Sequence, residues 1–211
     1  MKMHVLDMFA GLGGWSKAFK DRGHSVDTVD IDPKFKPTAI LDIMELSVED
    51  MGDSYYDLIL ASPPCDCFSV ASISRYWTPD HEPRNRKACK AFILMRHTFE
   101  LLEGSGTRYI IENPRGKMRR LSPRPPNVTI WYCQYGDARA KPTDIWHNIP
   151  ELRWRKQCHN NNSNCHHDKA PRSTKRGGTQ DMSKSPSQRA LIPYGLSLDV
   201  CLQMEKILEV K

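Results

Sequence analysis

His4-Val5-Leu6-Asp7-Met8-Phe9, followed at once by Ala10-Gly11-Leu12-Gly13-Gly14 and then by a helical stretch over 15–22, is the segment on which the fold turns. A short apolar run, a glycine turn and a helix bring backbone amides up to a ligand at the end of a buried strand. The glycine spacing is not Gly-x-Gly-x-x-Gly, and no Lys-Ser/Thr pair follows, so neither a dinucleotide fingerprint nor a phosphate cradle is indicated. A nucleoside without a pyrophosphate fits better. Moving outward, 25–31 and 39–41 are two more apolar runs, and each ends at an acid, Asp30 and Asp42. A carboxylate at such a strand end can accept hydrogen bonds from ribose hydroxyls, and Asp30 is assigned that role.

The next run, 56–60, leads into Ala61-Ser62-Pro63-Pro64-Cys65-Asp66-Cys67-Phe68-Ser69. Proline lacks the amide hydrogen a continuing ladder needs, so the strand stops and Cys65 is presented at its C-terminal end. A thiol there is a candidate nucleophile, although a lone free thiol is by itself more often a structural residue. Residues 70–84 show no regular periodicity and read as a lid or binding loop. Residues 86–103 read as an amphipathic helix with Ala91, Leu94, Met95, Thr98, Leu101 and Leu102 on one face. A strand over 108–111 then carries Glu112-Asn113 at its end and is expected to be stopped by Pro114. Further strands are expected over 127–132 and 144–146, and a closing helix over 196–210. Alternating strands and helices predict an α/β, Rossmann-like, mostly parallel sheet with helices on both faces and a small basic, loop-rich appendage.

In a chain of 211 residues the seven cysteines show no disulfide spacing, so reduced thiols are expected. No basic-then-apolar leader and no membrane-length apolar stretch is present, which predicts a cytoplasmic protein, here in a bacterial host cell, with no membrane partner; a monomer is expected. The net charge of +6 is uneven: residues 151–190 hold nine Lys or Arg against three acids, which accounts for the whole excess. Arg115, Lys117, Arg119, Arg120 and Arg124 form a second basic cluster. Such asymmetry points to a polyanion, most often nucleic acid, or else to a solvated basic loop.

Five segments in order resemble the cytosine-carbon-5 DNA methyltransferase family, in a compact, phage-like form with a reduced target-recognition region. They are Asp7 to Gly14, the acids Asp30 and Asp42, Pro64-Cys65 with Phe68-Ser69, Glu112-Asn113, and Arg139-x-Lys141. The resemblance implies an S-adenosylmethionine-dependent methyltransferase fold acting on DNA. In it Phe9 would stack on adenine, and Ala10, Gly11, Gly13 and Gly14 would meet the methionine part. Asp30 would bind ribose, Ile31 would pack on the base, Asp42 would meet the adenine amine, and Pro63 would complete the cofactor site. Cys65 would be the nucleophile and Glu112 the acid at ring nitrogen 3, while Asn113 would hold the loop or the base. Arg139 and Lys141 would reach the base carbonyl and the catalytic loop. The chain departs from the family pattern at Asp66 (usually Gln), Cys67 (usually Pro), Pro114 (usually Val) and Lys141 (usually Arg).

Three other readings stay open: a methyltransferase acting on an exocyclic amine, the same thiolate chemistry with a modified sulfonium donor or an RNA substrate, and a non-enzymatic DNA-binding module. The expected organisation is a catalytic core over 1–146, a basic target-recognition segment over 147–190 and a C-terminal helix over 191–211 packing back on the core. The basic segment has few apolar anchors beyond Leu152 and Trp154, so a short or relaxed target of about two to four base pairs is expected, with charge-dominated binding through residues such as Arg172, Lys175 and Arg176. Cys158, His159, Cys165, His166 and His167 do not have the spacing of a standard zinc finger. A polar loop held by packing, with no metal ligand assigned, is the expectation.

Overall fold

A computed structural model describes residues 2–51, 55–168 and 185–209. Arg172, Lys175 and Arg176 lie outside these described residues. Seven strands form one sheet: β1 (His4–Met8), β2 (Ser25–Asp30), β3 (Ala39–Ile40), β4 (Leu58–Ala61), β5 (Tyr109–Pro114), β6 (Val128–Trp131) and β7 (Pro142–His147). Their spatial order is β3-β2-β1-β4-β5-β7-β6, and only β7 runs antiparallel to its neighbours. The order reverses between β1 and β4, which is the place where open α/β sheets leave a crevice for ligands.

Side chains along a strand alternate between the two faces, and the core divides on that alternation. Leu6 and Met8 of β1, Ile59 and Ala61 of β4, and Tyr109 and Ile111 of β5 face one layer. Val5, Leu58, Leu60 and Ile110 face the other. The first layer is closed by α3 (Arg86–Gly104), preceded in the chain by α1 (Ser16–Asp21) and the single turn α2 (Ile73–Tyr76). Asn85 caps α3 by accepting from the Ala88 amide at 3.0 Å. The buried face of α3 centres on Met95, Thr98, Phe99, Leu101 and Leu102, whereas Ala91 and Leu94 are only partly buried.

After α4 (Met118–Leu121) and α5 (Pro186–Ala190), the closing helix α6 (Tyr194–Glu209) packs with α1 over the second layer through Leu196, Val200 and Met204. Arg22 reaches Glu205 with two 2.8 Å bonds across that helix pair. Ile149 and Leu152 are buried in the same layer. Among the described residues no helix is long and apolar enough to cross a membrane.

Two local expectations are corrected and a third is narrowed. β5 runs on past Ile111 through Glu112 and Asn113 and ends at Pro114, which pairs opposite Thr143; beyond it the Arg115 amide donates to Pro142 O at 2.9 Å. The stretch 70–84 is not irregular throughout, since it contains α2 and a bridge between Trp77 and Pro83. Trp77 is buried, stacks on Phe68 and donates to Cys67 O at 2.7 Å, leaving Val70, Ala71, Ser74 and Arg75 on the exposed rim. The cations of 115–124 differ in burial: Lys117 is buried and Arg119 and Arg124 are half-buried, while Arg115 and Arg120 are exposed. Arg119 pairs with buried Asp144, Arg115 lies over Trp131 and Arg124 over Tyr109.

Candidate active site

Phe9 follows β1 with φ +61°, a left-handed conformation that is rare for a bulky residue. From there it borders a cavity of about 530 Å³ at the C-terminal ends of β1 to β4. Asp30, Ile31 and Asp42 line this cavity together with Phe35, Leu41 and Ile43, and α3 contributes Lys90, Ile93 and Leu94. Ile31, Met44 and Ile93 line it while being 63%, 41% and 53% exposed, so apolar surface is displayed where a ligand would cover it. Asp30 accepts from the Gly11 amide at 2.8 Å through one oxygen and from the Asp32 amide at 2.9 Å through the other. Each carboxylate oxygen can accept two bonds, so Asp30 clamps the glycine turn and keeps acceptor capacity toward the cavity. Asp42 is oriented by the Met44 amide at 3.0 Å. An apolar slot between two backbone-oriented carboxylates fits a purine nucleoside carrying ribose hydroxyls and an exocyclic amine, as in S-adenosylmethionine.

Ala10, Gly11 and Gly14 line an adjoining cavity of about 180 Å³ that also includes Asp7, Trp15 and Ser62. Gly14 is required there by the C-terminal segment, because a Cβ would stand 2.7 Å from the Ile192 amide nitrogen. Gly13 is directed away from both cavities, toward a groove with Lys20 and Thr28. Pro63 is buried and borders neither cavity, while its neighbours Ser62 and Pro64 do. Asp7, which sequence reading left without a role, is fully enclosed; burial pushes its carboxyl up to about 7 despite a hydrogen bond from Ser16.

The second cluster lies past β4. Cys65 is partly exposed in a tight turn whose carbonyl accepts from the amides of Phe68 at 3.0 Å and Ser69 at 2.9 Å. Gly116 holds that turn from behind: a Cβ would stand 2.2 Å from Phe68 O, and the Lys117 amide donates to the same oxygen at 2.7 Å. Asn113 is fully buried and donates to Pro63 O at 2.9 Å, which ties β5 to the proline pair. Glu112 is buried and accepts from the Tyr132 hydroxyl at 2.8 Å. Desolvation raises its pKa, against the opposing charge of Lys141 and hydrogen bonds from Tyr132 and Ser62. Burial likewise raises the Cys65 thiol, and Lys141 is the charge that pulls it down.

Lys141 is 2% exposed, at φ +27°, with its ammonium 4.3 Å from the Tyr132 ring centroid. Burial lowers its pKa, while the charges of Glu112 and Cys65 work the other way. Arg139 is held by Asp137 at 2.5 Å and 2.9 Å. Arg139 and Lys141 both donate to Arg189 O, at 3.0 Å and 3.2 Å, so the two cations do project to the same side. Tyr132 is the participant that sequence reading missed. Its position at the end of a run read as a strand was visible, but its link to Glu112 exists only because β6, β7 and β5 lie side by side.

A family model described as C-5 cytosine-specific DNA methylase matches residues 3–79. The chain is similar to a probable DNA (cytosine-5)-methyltransferase of Frog virus 3 (isolate Goorha), with 30% identity over 156 residues, 70% of this chain and 71% of that relative. Among solved structures it resembles Entamoeba histolytica methyltransferase EhMeth with a TM-score of 0.53 at 10% identity, covering 99% of each chain. S. pombe Dnmt2 methyltransferase matches with a TM-score of 0.46 at 15% identity; the match covers 74% of this chain and 52% of that one, about half its length. Glu112, Tyr132, Arg139 and Lys141 fall outside the residues matched by the family model.

Proposed function

The chain belongs to the C-5 cytosine-specific DNA methylase family, and from that premise we propose that it methylates carbon 5 of cytosine in DNA, with Cys65 as nucleophile. The observation that carries the proposal is one electrostatic neighbourhood. Cys65, the buried carboxyl of Glu112 and the buried ammonium of Lys141 influence one another at the same sheet edge as the carboxylate-flanked cavity. S-adenosylmethionine, when bound there, supplies a methyl group on a positively charged sulfur.

Carbon 5 of cytosine is a poor nucleophile, so the Cys65 thiolate first adds to carbon 6 and pushes electron density toward carbon 5. The addition builds charge toward ring nitrogen 3. Glu112, whose pKa is raised by burial, donates a proton there and relieves that charge. Lys141 favours the thiolate form of Cys65 and offsets part of the charge on the pair. Once carbon 5 carries the methyl group, a base takes the carbon 5 proton, the carbon 6–sulfur bond breaks to release Cys65 as thiolate, and the Glu112 carboxylate takes back the proton from ring nitrogen 3. Asn113 serves as a positioning residue, fixing the proline pair before Cys65 through Pro63 O. The carbonyl of cytosine offers Arg139 and Lys141 the same acceptor that Arg189 O now provides. Asp30, Asp42, Ile31 and Phe9 hold the cofactor.

A cytosine in duplex DNA hides this ring face in the stack, so the base is flipped out, with the exposed rim of 70–75 beside it. The chain acts as a monomer on double-stranded DNA, and residues 147–190 supply the phosphate contacts. Duplex DNA carrying 5-fluorocytosine tests the reading, because the fluorine cannot leave as a proton does. Wild-type protein with S-adenosylmethionine should form a denaturation-resistant adduct that maps to Cys65 by mass spectrometry. An adduct at Cys67, or methylation products found only on exocyclic amines, would refute it.

A further inference from the structure

Cys133 lies in the helical turn Tyr132–Tyr135 that follows β6, while Cys158, Cys165 and His167 come from a loop with no helix or strand of its own. The fold brings them together: one ligand atom from each lies within 4.8 Å of every other. Spacing alone favoured a packed polar loop, because the loop by itself does not supply a standard ligand set. The missing fourth group is Cys133, 25 residues upstream of Cys158 and delivered by the sheet.

From this convergence we propose that Cys133, Cys158, Cys165 and His167 bind one structural zinc ion. Sulfur about 2.3 Å and nitrogen about 2.0 Å from zinc in a tetrahedron would place ligand atoms roughly 3.5–3.8 Å apart. Cys158 Sγ and His167 Nδ1 are 3.8 Å apart. The surroundings suit thiolate and imidazole ligands. Gln134 Nε2 approaches Cys133 Sγ at 3.7 Å and Cys165 Sγ at 3.6 Å, and Asn162 Nδ2 approaches Cys158 Sγ at 3.4 Å. His167 presents Nδ1 to the cluster while its Nε2 sits 3.4 Å from Asn160 O, the outer bond that orients a metal-bound imidazole.

Packing does not account for this order. The local apolar cluster consists of Trp131, Ala140 and the same three thiols. Two tight turns, Asn162 amide to His159 O at 3.0 Å and Cys165 amide to Asn162 O at 3.2 Å, return the chain so that Cys165 faces Cys158. His159 and His166 are not in the cluster; His166 Nε2 instead contacts Asp137 O at 3.0 Å. Four protein ligands leave no open position, so the ion is a staple rather than a reagent. It clips the loop to the segment that carries Tyr132, Arg139 and Lys141, beside the Asp168 amide to Ala138 O bond of 2.8 Å.

Full-length protein made without a histidine tag should contain about one zinc per chain by elemental analysis. Replacement by cobalt should give a thiolate-to-metal charge-transfer band and the intense visible bands of a tetrahedral site. Cys165→Ser and His167→Ala should each lose the metal, whereas His159→Ala, His166→Ala and Cys201→Ser should retain it. The last variant matters because Cys201 lies in the other candidate cluster among the described residues, with His24 and Glu205. If Cys165→Ser or His167→Ala does not fold, the cobalt spectrum of the wild type decides. Absence of zinc together with absence of that spectrum overturns the proposal. So does a disulfide among the three thiols, or metal lost in Cys201→Ser and kept in Cys165→Ser.

Discussion

On the β1 to β3 side of the sheet edge, the carboxylates that face the cavity sit at strand ends and are oriented by amides of nearby turns: Asp30 by Gly11 and Asp32, Asp42 by Met44. On the β4 to β7 side, Cys65, Glu112, Tyr132 and Lys141 come from separate strand ends, and each is tuned by another member of the group. The first region is a cradle whose carboxylates are held by backbone amides. The second is a set of neighbouring ionisable groups, each of which shifts the pKa of another.

The largest effect should come from Cys65→Ala. It removes the proposed nucleophile and should lower methyl transfer by at least about 10³-fold, with cofactor affinity by calorimetry unchanged. Parallel loss of affinity would show that the two regions are not separable. Glu112→Gln keeps the shape and removes the proton, so single-turnover transfer should fall by about 10²- to 10⁴-fold. Asp30→Ala should act in the opposite sense, weakening cofactor binding by roughly 10- to 100-fold while transfer at saturating cofactor stays within about tenfold of wild type. A larger loss of transfer would mean that the cradle also shapes the chemistry.

Tyr132→Phe sharpens the comparison with a smaller effect, about tenfold or less in rate. The Tyr132 hydroxyl lowers the Glu112 pKa, so its removal raises that pKa further and the acid form persists to higher pH. The alkaline limb of the rate profile should therefore move up, and a downward move would contradict the assignment. Asp7→Asn should change activity least and be read in stability. The Asp7 pKa is raised from 3.8 to about 7 by burial, so the folded protein holds a proton that the unfolded chain releases. Its contribution is fully present below pH 3.8 and is lost as pH rises through about 7. Chemical denaturation across that window should show a decline in the wild type, of a few kcal/mol at most, that is flatter in the variant.

The amino-acid sequence by itself determined the sheet, the glycine turn, the acids at the ends of β2 and β3, and the placement of Cys65 after two prolines. These are local matters: apolar periodicity, proline's missing amide and glycine's freedom act within a few residues of one another. Only the tertiary structure decided what each polar residue meets. Glu112 and Asn113 are paired strand residues because β7 lies beside them, and Arg119 is a half-buried partner of Asp144. Pro63 gives its carbonyl to Asn113 and does not border the cavity flanked by Asp30 and Asp42. Tyr132 touches Glu112, and Cys133 joins thiols that follow it by 25 residues or more, because the sheet sets side by side segments that are remote in the chain. Burial and distance set the charge states and partners of such groups, and both are properties of the packed molecule.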